Sequence, residues 1–85
     1  MSIEFEVVDR KGCLFWEPGL DKIVVRRREE WSPGSELAIL PGHAPLLAPT
    51  EPCKVRLAKH GLMRTIEVGK GVLEVVDDHV TLVVI

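Results

Sequence analysis

Three histidines, two cysteines and thirteen carboxylates are the side chains here best suited to acid–base, nucleophilic or metal chemistry. Their spacing decides against most of it. No two histidines lie at i, i+4 and no Cys-x-x-Cys occurs, so the ligand spacing of a zinc centre is missing. A Cys–His nucleophile would need Cys13 or Cys53 to meet His43 in the fold, and nothing local supports that. His60 in Lys-His-Gly and His79 after Asp77-Asp78 read as exposed turn positions, and the aspartate pair reads as a turn former. Gly69-Lys70-Gly71 is not a phosphate loop, and the dinucleotide fingerprint that would begin at Gly69 fails at Glu74. The residues therefore predict no catalytic group, no cofactor and no metal, and point to a domain that works by binding protein.

The chain is organised around Leu40-Pro41-Gly42-His43-Ala44-Pro45-Leu46-Leu47. Proline fixes φ and removes a donor, and glycine permits positive φ. The segment can be neither a regular helix nor a long central strand, and Pro41, Gly42 and Pro45 predict a rigid corner that holds His43. To hold it there, the flanking chain must supply stiff elements on both sides.

Those elements read as short strands. Ile3, Phe5 and Val7 alternate with Glu4 and Glu6, Asp9-Arg10-Lys11-Gly12 turns, and residues 13–16 return. Glu17-Pro18-Gly19 signals a turn, residues 21–27 make a third strand, and residues 36–40 run into the corner. Ala48-Pro49-Thr50-Glu51-Pro52 reads as a stiff connector. Beyond it, Cys53, Val55 and Leu57 alternate with Lys54 and Arg56, Lys59-His60-Gly61 is a hairpin tip, and residues 62–68 pair back. Gly69-Lys70-Gly71 allows a kink or bulge before residues 72–76. The last strand, residues 80–85, is apolar on both faces and is expected inside a sheet or under a partner. About nine short strands with no sustained helical period predict an all-β sandwich or barrel.

Eighty-five residues predict one domain, 1–85, with a modest core. The apolar fraction is 46% but the aromatic fraction only 5%, so the core is Val, Leu and Ile, a bias that favours strands. Net charge is −2, with no clustered excess of Lys and Arg, which argues against nucleic acid. Arg26-Arg27-Arg28 is followed at once by Glu29-Glu30 and reads as a solvated hairpin end. No apolar run reaches the ~18 residues of a membrane span, and the N-terminus has no signal-peptide pattern. Two buried, reduced thiols in a cytosolic protein are the default expectation.

The corner also carries a resemblance. Ile39-Leu40-Pro41-Gly42-His43-Ala44-Pro45-Leu46-Leu47 closely resembles the G-E-x-G-I-L-P-G-H-A-P-L-L signature of the epsilon subunit of F-type ATP synthases, called delta in mitochondria. Val7-Val8, Leu14-Phe15, Asp21 to Val25, Val55 to Leu57, Gly71 to Val75 and His79 to Val83 match further family segments in the same order. The resemblance implies a flattened β-sandwich of about ten short, mostly antiparallel strands. It also implies a non-catalytic place in the rotor's central stalk, bound to the gamma subunit and the c-ring. Association with the membrane would be peripheral, through the complex, at the cytoplasmic face, with a bacterial inner membrane as the expected setting.

Departures from the signature limit what transfers. Residues 26–35 are longer than the family's turn, and Gly69-Lys70-Gly71 puts a charge where the family has a small residue. The helical hairpin that follows the sandwich in bacterial members, where it can brake rotation or bind ATP, is not among these residues. Glu36 sits where the family has an acid facing the c-ring side. The rotor-interface candidates are therefore Glu36, His43, Trp31, Arg27 and Arg28, with Pro41, Gly42 and Pro45 as the structural corner. The competing reading is a stand-alone β-sandwich adaptor for another protein complex, presenting the loop around Trp31.

Overall fold

The computed structural model describes residues 1–28 and 35–85. Within them the chain forms nine strands: β1 Ile3–Asp9, β2 Gly12–Leu20, β3 Lys22–Arg27, β4 Ser35–Ile39, β5 Leu46–Thr50, β6 Cys53–Lys59, β7 Leu62–Val68, β8 Gly71–Val76 and β9 His79–Val84. They form one curled all-β sheet in the order β2-β1-β9-β8-β5-β3-β6-β7, with β4 on the free side of β3. A single bridge, Arg27 opposite Thr50, joins β5 to β3. Around it the sheet folds into two layers, β2-β1-β9-β8-β5 and β4-β3-β6-β7. The expected count of about ten strands is nine among the described residues.

Alternation fixes which side chains meet between the layers. Ile3, Phe5 and Val7 of β1, Ile23 and Val25 of β3, Val55 and Leu57 of β6, Leu73 and Val75 of β8, and Val80 and Leu82 of β9 are all buried. Each sits two residues from the next on its strand, as a period-two backbone requires. Phe5 meets Phe15 with ring centroids 6.2 Å apart. β9 lies between β1, to which it is parallel, and β8, to which it is antiparallel. Its inward Val80 and Leu82 are fully buried there, while Thr81 and Val83 point outward.

Two segments differ from the sequence expectation. Glu17-Pro18-Gly19 does not reverse the chain. It lies within β2, where Ile3 opposes Leu20 but Phe5 opposes Glu17, so an extra residue is absorbed as a bulge. Gly19 takes φ +72° there, and a bulge is one of the few places where a strand accepts Pro-Gly. Ala48-Pro49-Thr50 likewise is not a connector but the end of β5, paired with β8. Proline is tolerated because β5 has β8 on one side only until its last residue, where Arg28 N–H donates to Pro49 O at 3.0 Å.

The tight turns agree with their residues. Asp9 Oδ1 accepts from Lys11 N–H and Gly12 N–H, at 2.7 and 3.1 Å. His60 and Gly61, at φ +52° and +77°, close the β6–β7 hairpin. Asp77 and Asp78, at φ +48° and +63°, close β8–β9. Gly69-Lys70 joins β7 to β8 rather than bulging a strand. Gly71 is buried in the ladder, where a Cβ would stand 2.1 Å from Val83 O.

Candidate partner-binding surface

The corner is a hydrogen-bonded turn. His43 N–H donates to Leu40 O at 3.1 Å, and Gly42 takes φ +84°, the geometry of a type II turn with Pro41 and Gly42 at its centre. The His43 ring turns back on its own loop, with Nδ1 2.7 Å from Ala44 O. A carbonyl oxygen only accepts, so Nδ1 carries the proton. Gly42 N–H donates to Asp78 Oδ1 at 2.7 Å, and Asp78 O accepts from Glu4 N–H at 3.0 Å. The corner, the β8–β9 turn and the start of β1 thus meet at Asp78, which sequence reasoning had read only as a turn residue.

The other candidates lie on the second layer. Glu36, on β4, forms a bidentate pair with Arg56 of β6, at 2.9 and 3.1 Å, reaching diagonally over β3. Both side chains are about half exposed, so the pair contributes only ~0–1 kcal/mol, but it occupies the Glu36 carboxylate. Arg26 and Lys54 line the same shallow depression. Arg28 is exposed and Arg27 half-buried, both at the end of β3. Trp31 lies outside the described residues. The structure therefore separates His43 and the corner from Glu36, Arg27 and Arg28, rather than gathering them into one site.

What sequence reasoning missed is the outer face of the first layer. The registers place Cys13, Val8, Val83, Val72 and Pro49 side by side, one from each of β2, β1, β9, β8 and β5. All five point away from the core and none is fully buried. The next row reads Trp16, Glu6, Thr81, Glu74 and Leu47, with Trp16 55% and Leu47 70% exposed. Beyond it, His79 bridges two carboxylates, with Nδ1 3.2 Å from Glu4 Oε1 and Nε2 3.2 Å from Glu6 Oε1. Trp16 Nε1–H donates to Glu4 Oε2 at 2.8 Å. His79 is thus a half-buried strand residue and not the exposed turn residue its neighbours suggest. Cys13 is exposed on the apolar row, against the expectation of two buried thiols; both thiols are free. The signal was present in residues 80–85, where the outward Val83 is as apolar as the inward Val80 and Leu82.

Among the described residues no three His, Cys, Asp or Glu side chains are grouped to hold a metal ion, and no helix is long and apolar enough to cross a membrane.

Comparison with known proteins gives the lineage. Residues 2–85 match the family model of the ATP synthase delta/epsilon chain, beta-sandwich domain. The chain belongs to this family. It is 46% identical over 81 residues to the ATP synthase epsilon chain of Bacillus subtilis, covering 95% of this chain and 57% of that one. The epsilon chain of Alkalihalophilus pseudofirmus is 37% identical, covering 95% and 56%. The chain thus spans little more than half the length of these relatives. A chain from the central stalk/c-ring structure of Tetrahymena thermophila mitochondrial ATP synthase superposes with a TM-score of 0.73 at 13% identity, covering all of this chain and 64% of that one. At that identity the likeness is one of fold. Within the delta/epsilon family the recognised signature, Ile39 to Leu47, runs from the last residue of β4 through the corner into β5.

Proposed function

We propose that this chain is a non-catalytic central-stalk subunit of an F-type ATP synthase, bound to the gamma subunit and in contact with the c-ring, so that ion-driven rotation reaches the catalytic head. It would meet the membrane only through that complex, peripherally, on the cytoplasmic face. One observation carries the reading: the row Cys13, Val8, Val83, Val72 and Pro49 across the whole outer face of the first layer. The core is already complete between the layers, so this second apolar row serves no packing within the chain. A solvated sheet face alternates to polar side chains, and a continuous apolar strip marks an interaction surface. Covering it contributes roughly 25 cal/mol per Å² of apolar area. The gamma subunit is the proposed occupant because the chain's relatives are ATP synthase epsilon chains.

The second layer suits a different contact. Its outer face carries Arg26, Lys54 and the Arg56–Glu36 pair, with exposed Arg28 beside it, while half-buried Arg27 alternates to the side of β3 that carries Ile23 and Val25. A charged face fits the polar loops of the c-ring better than an apolar partner. Trp31 joins these residues as a proposed contact from sequence alone, and His43 is assigned to holding the corner. The prolines Pro41, Pro45, Pro49 and Pro52 limit backbone freedom, which suits a part that transmits torque.

The test is direct binding to the gamma subunit of the same complex. Val83→Lys and Val72→Lys should abolish binding while leaving the thermal midpoint of the isolated chain within a few degrees of wild type. A wild-type chain that stays monomeric with gamma at high concentration would overturn the reading.

A further inference from the structure

We infer that the outer face of the first layer accepts its partner in one orientation only, with an arginine or lysine of the partner seated in the acidic hollow beside Glu74. The inference takes the partner's identity from the reading above, but its chemistry rests on the arrangement of charge around the apolar row.

A hollow of about 460 Å³ opens beside that row, lined by Glu4, Glu6, Glu74, Asp77 and His79 with Val76 and Thr81. Internal bonds deal with only part of its charge. His79 engages Glu4 and Glu6, and Trp16 holds Glu4 from the far side. Among the described residues, neither Glu74 nor Asp77 has a cation beside it. Glu74 is not at a rim, where a lone carboxylate is ordinary. It stands on β8, between Thr81 of β9 and Leu47 of β5, one row from Val83 and Val72. An apolar partner laid over the row would take water from this carboxylate, which costs free energy unless a cation replaces the water.

The other side of the row is the reverse. Arg10 and Lys11, both exposed, border a second hollow of about 750 Å³ with Val83, Val84 and Ile85. The Asp9 carboxylate there is used by its own turn. Across the face the order is therefore acid, apolar strip, base. The complementary surface is a protein strip of apolar side chains with a basic residue on one flank and an acidic residue on the other. Docked the other way round, it would set like charges opposite each other on both flanks, which is how an interface fixes register. Nucleic acid or an anionic lipid surface would meet the carboxylates with phosphate, and is disfavoured.

Two measurements test this and separate it from the stalk assignment. In the first, N-acetylarginine amide is titrated into isotope-labelled chain, with no partner needed. The amides of Glu74, Val76 and Thr81 should shift first, and Glu74→Gln should remove most of the response. Shifts scattered over the surface, or unchanged in Glu74→Gln, would overturn the inference. In the second, gamma-subunit binding is measured for Glu74→Lys and Lys11→Glu, each checked for folding. Each should weaken binding about ten-fold or more, Glu74→Lys mainly through faster dissociation and Lys11→Glu mainly through slower association with a reduced dependence on salt. If Val83→Lys abolishes binding while Glu74→Lys binds like wild type, the stalk reading stands and the orientation does not. If gamma does not bind at all, the stalk reading falls and the arginine titration alone decides the hollow.

Discussion

Two residues show how far local chemistry sets this molecule. Asp78 holds a positive φ that side chains other than glycine adopt at a cost, and aspartate lowers the cost by bonding locally. Here its carboxylate reaches 36 residues back in the chain, to Gly42 N–H. Asp78→Asn keeps both the acceptor and the tolerance of positive φ, and should stay within about 0.5 kcal/mol of wild type. Asp78→Gly relieves the backbone but loses the bond, and Asp78→Ala loses both, at about 1–2 kcal/mol. Urea denaturation checks the ordering Asn, Gly, Ala. A glycine variant as stable as Asp78→Asn would mean that the bond to the corner adds no more than the backbone relief that glycine gains. Gly71 is a matter of space rather than φ. The atom in the way of a Cβ is Val83 O, part of the ladder between β8 and the central strand β9. Backbone in a central ladder cannot give by an ångström, so Gly71→Ala should cost at least ~3 kcal/mol or prevent folding. Thermal melting of the purified variant measures it.

At the scale of elements, sequence patterning worked wherever one strand face was polar. β1, β6 and the hairpin tips were legible because Glu4, Glu6, Lys54 and Arg56 mark the outward positions and Gly12 and Gly61 mark the turns. It failed where proline lies inside a strand. Pro18 and Pro49 are turn signals by composition, yet one sits at a bulge and the other on a strand with a free side. Only pairing, a non-local property, tells these from reversals. Pairing also explains a latch with no sequence signature. Glu17, with a mostly buried side chain, sits by the β2 bulge, where Arg64 of β7 and Lys59 at the end of β6 converge on it. Lys59 Nζ also donates to Pro18 O at 3.1 Å. β2 and β7 are the two ends of the sheet order, and this cluster ties them across the layers. Glu17→Gln leaves two cations facing a neutral amide and should cost about 1 kcal/mol, because both cations remain partly exposed to solvent. Raised salt should narrow the difference in denaturation midpoint. A difference that does not respond to salt would mean that packing of the Glu17 side chain, not its charge, closes the sheet.

For the whole molecule, the sandwich was legible from composition and strand spacing, and the family from the corner motif. The binding surface was not. The sequence candidates, Glu36 and His43 from the motif and its flank and Arg27, Arg28 and Trp31 from the longer segment before it, are the residues whose types draw the eye. Glu36 turns out to be paired with Arg56, and the His43 ring is bonded within its own loop. The apolar row is assembled from one unremarkable residue on each of five strands, and only the registers bring them together. The sandwich therefore presents two outer faces of different chemistry, one an apolar strip with charged flanks, the other carrying paired charges. If each serves a separate partner, substitutions on them should be separable, because sites on opposite faces share no neighbours. Val83→Lys should abolish gamma binding. Glu36→Ala and Arg56→Ala should leave gamma binding within about two-fold of wild type, each costing the isolated chain no more than ~1 kcal/mol. Placed in the intact complex, the same Glu36 and Arg56 variants should lower coupled ATP synthesis while gamma binding is kept, if the charged face meets the c-ring. Coupling unchanged in both would remove that face from the rotor contact, and gamma binding lost in either would mean that one partner spans both faces.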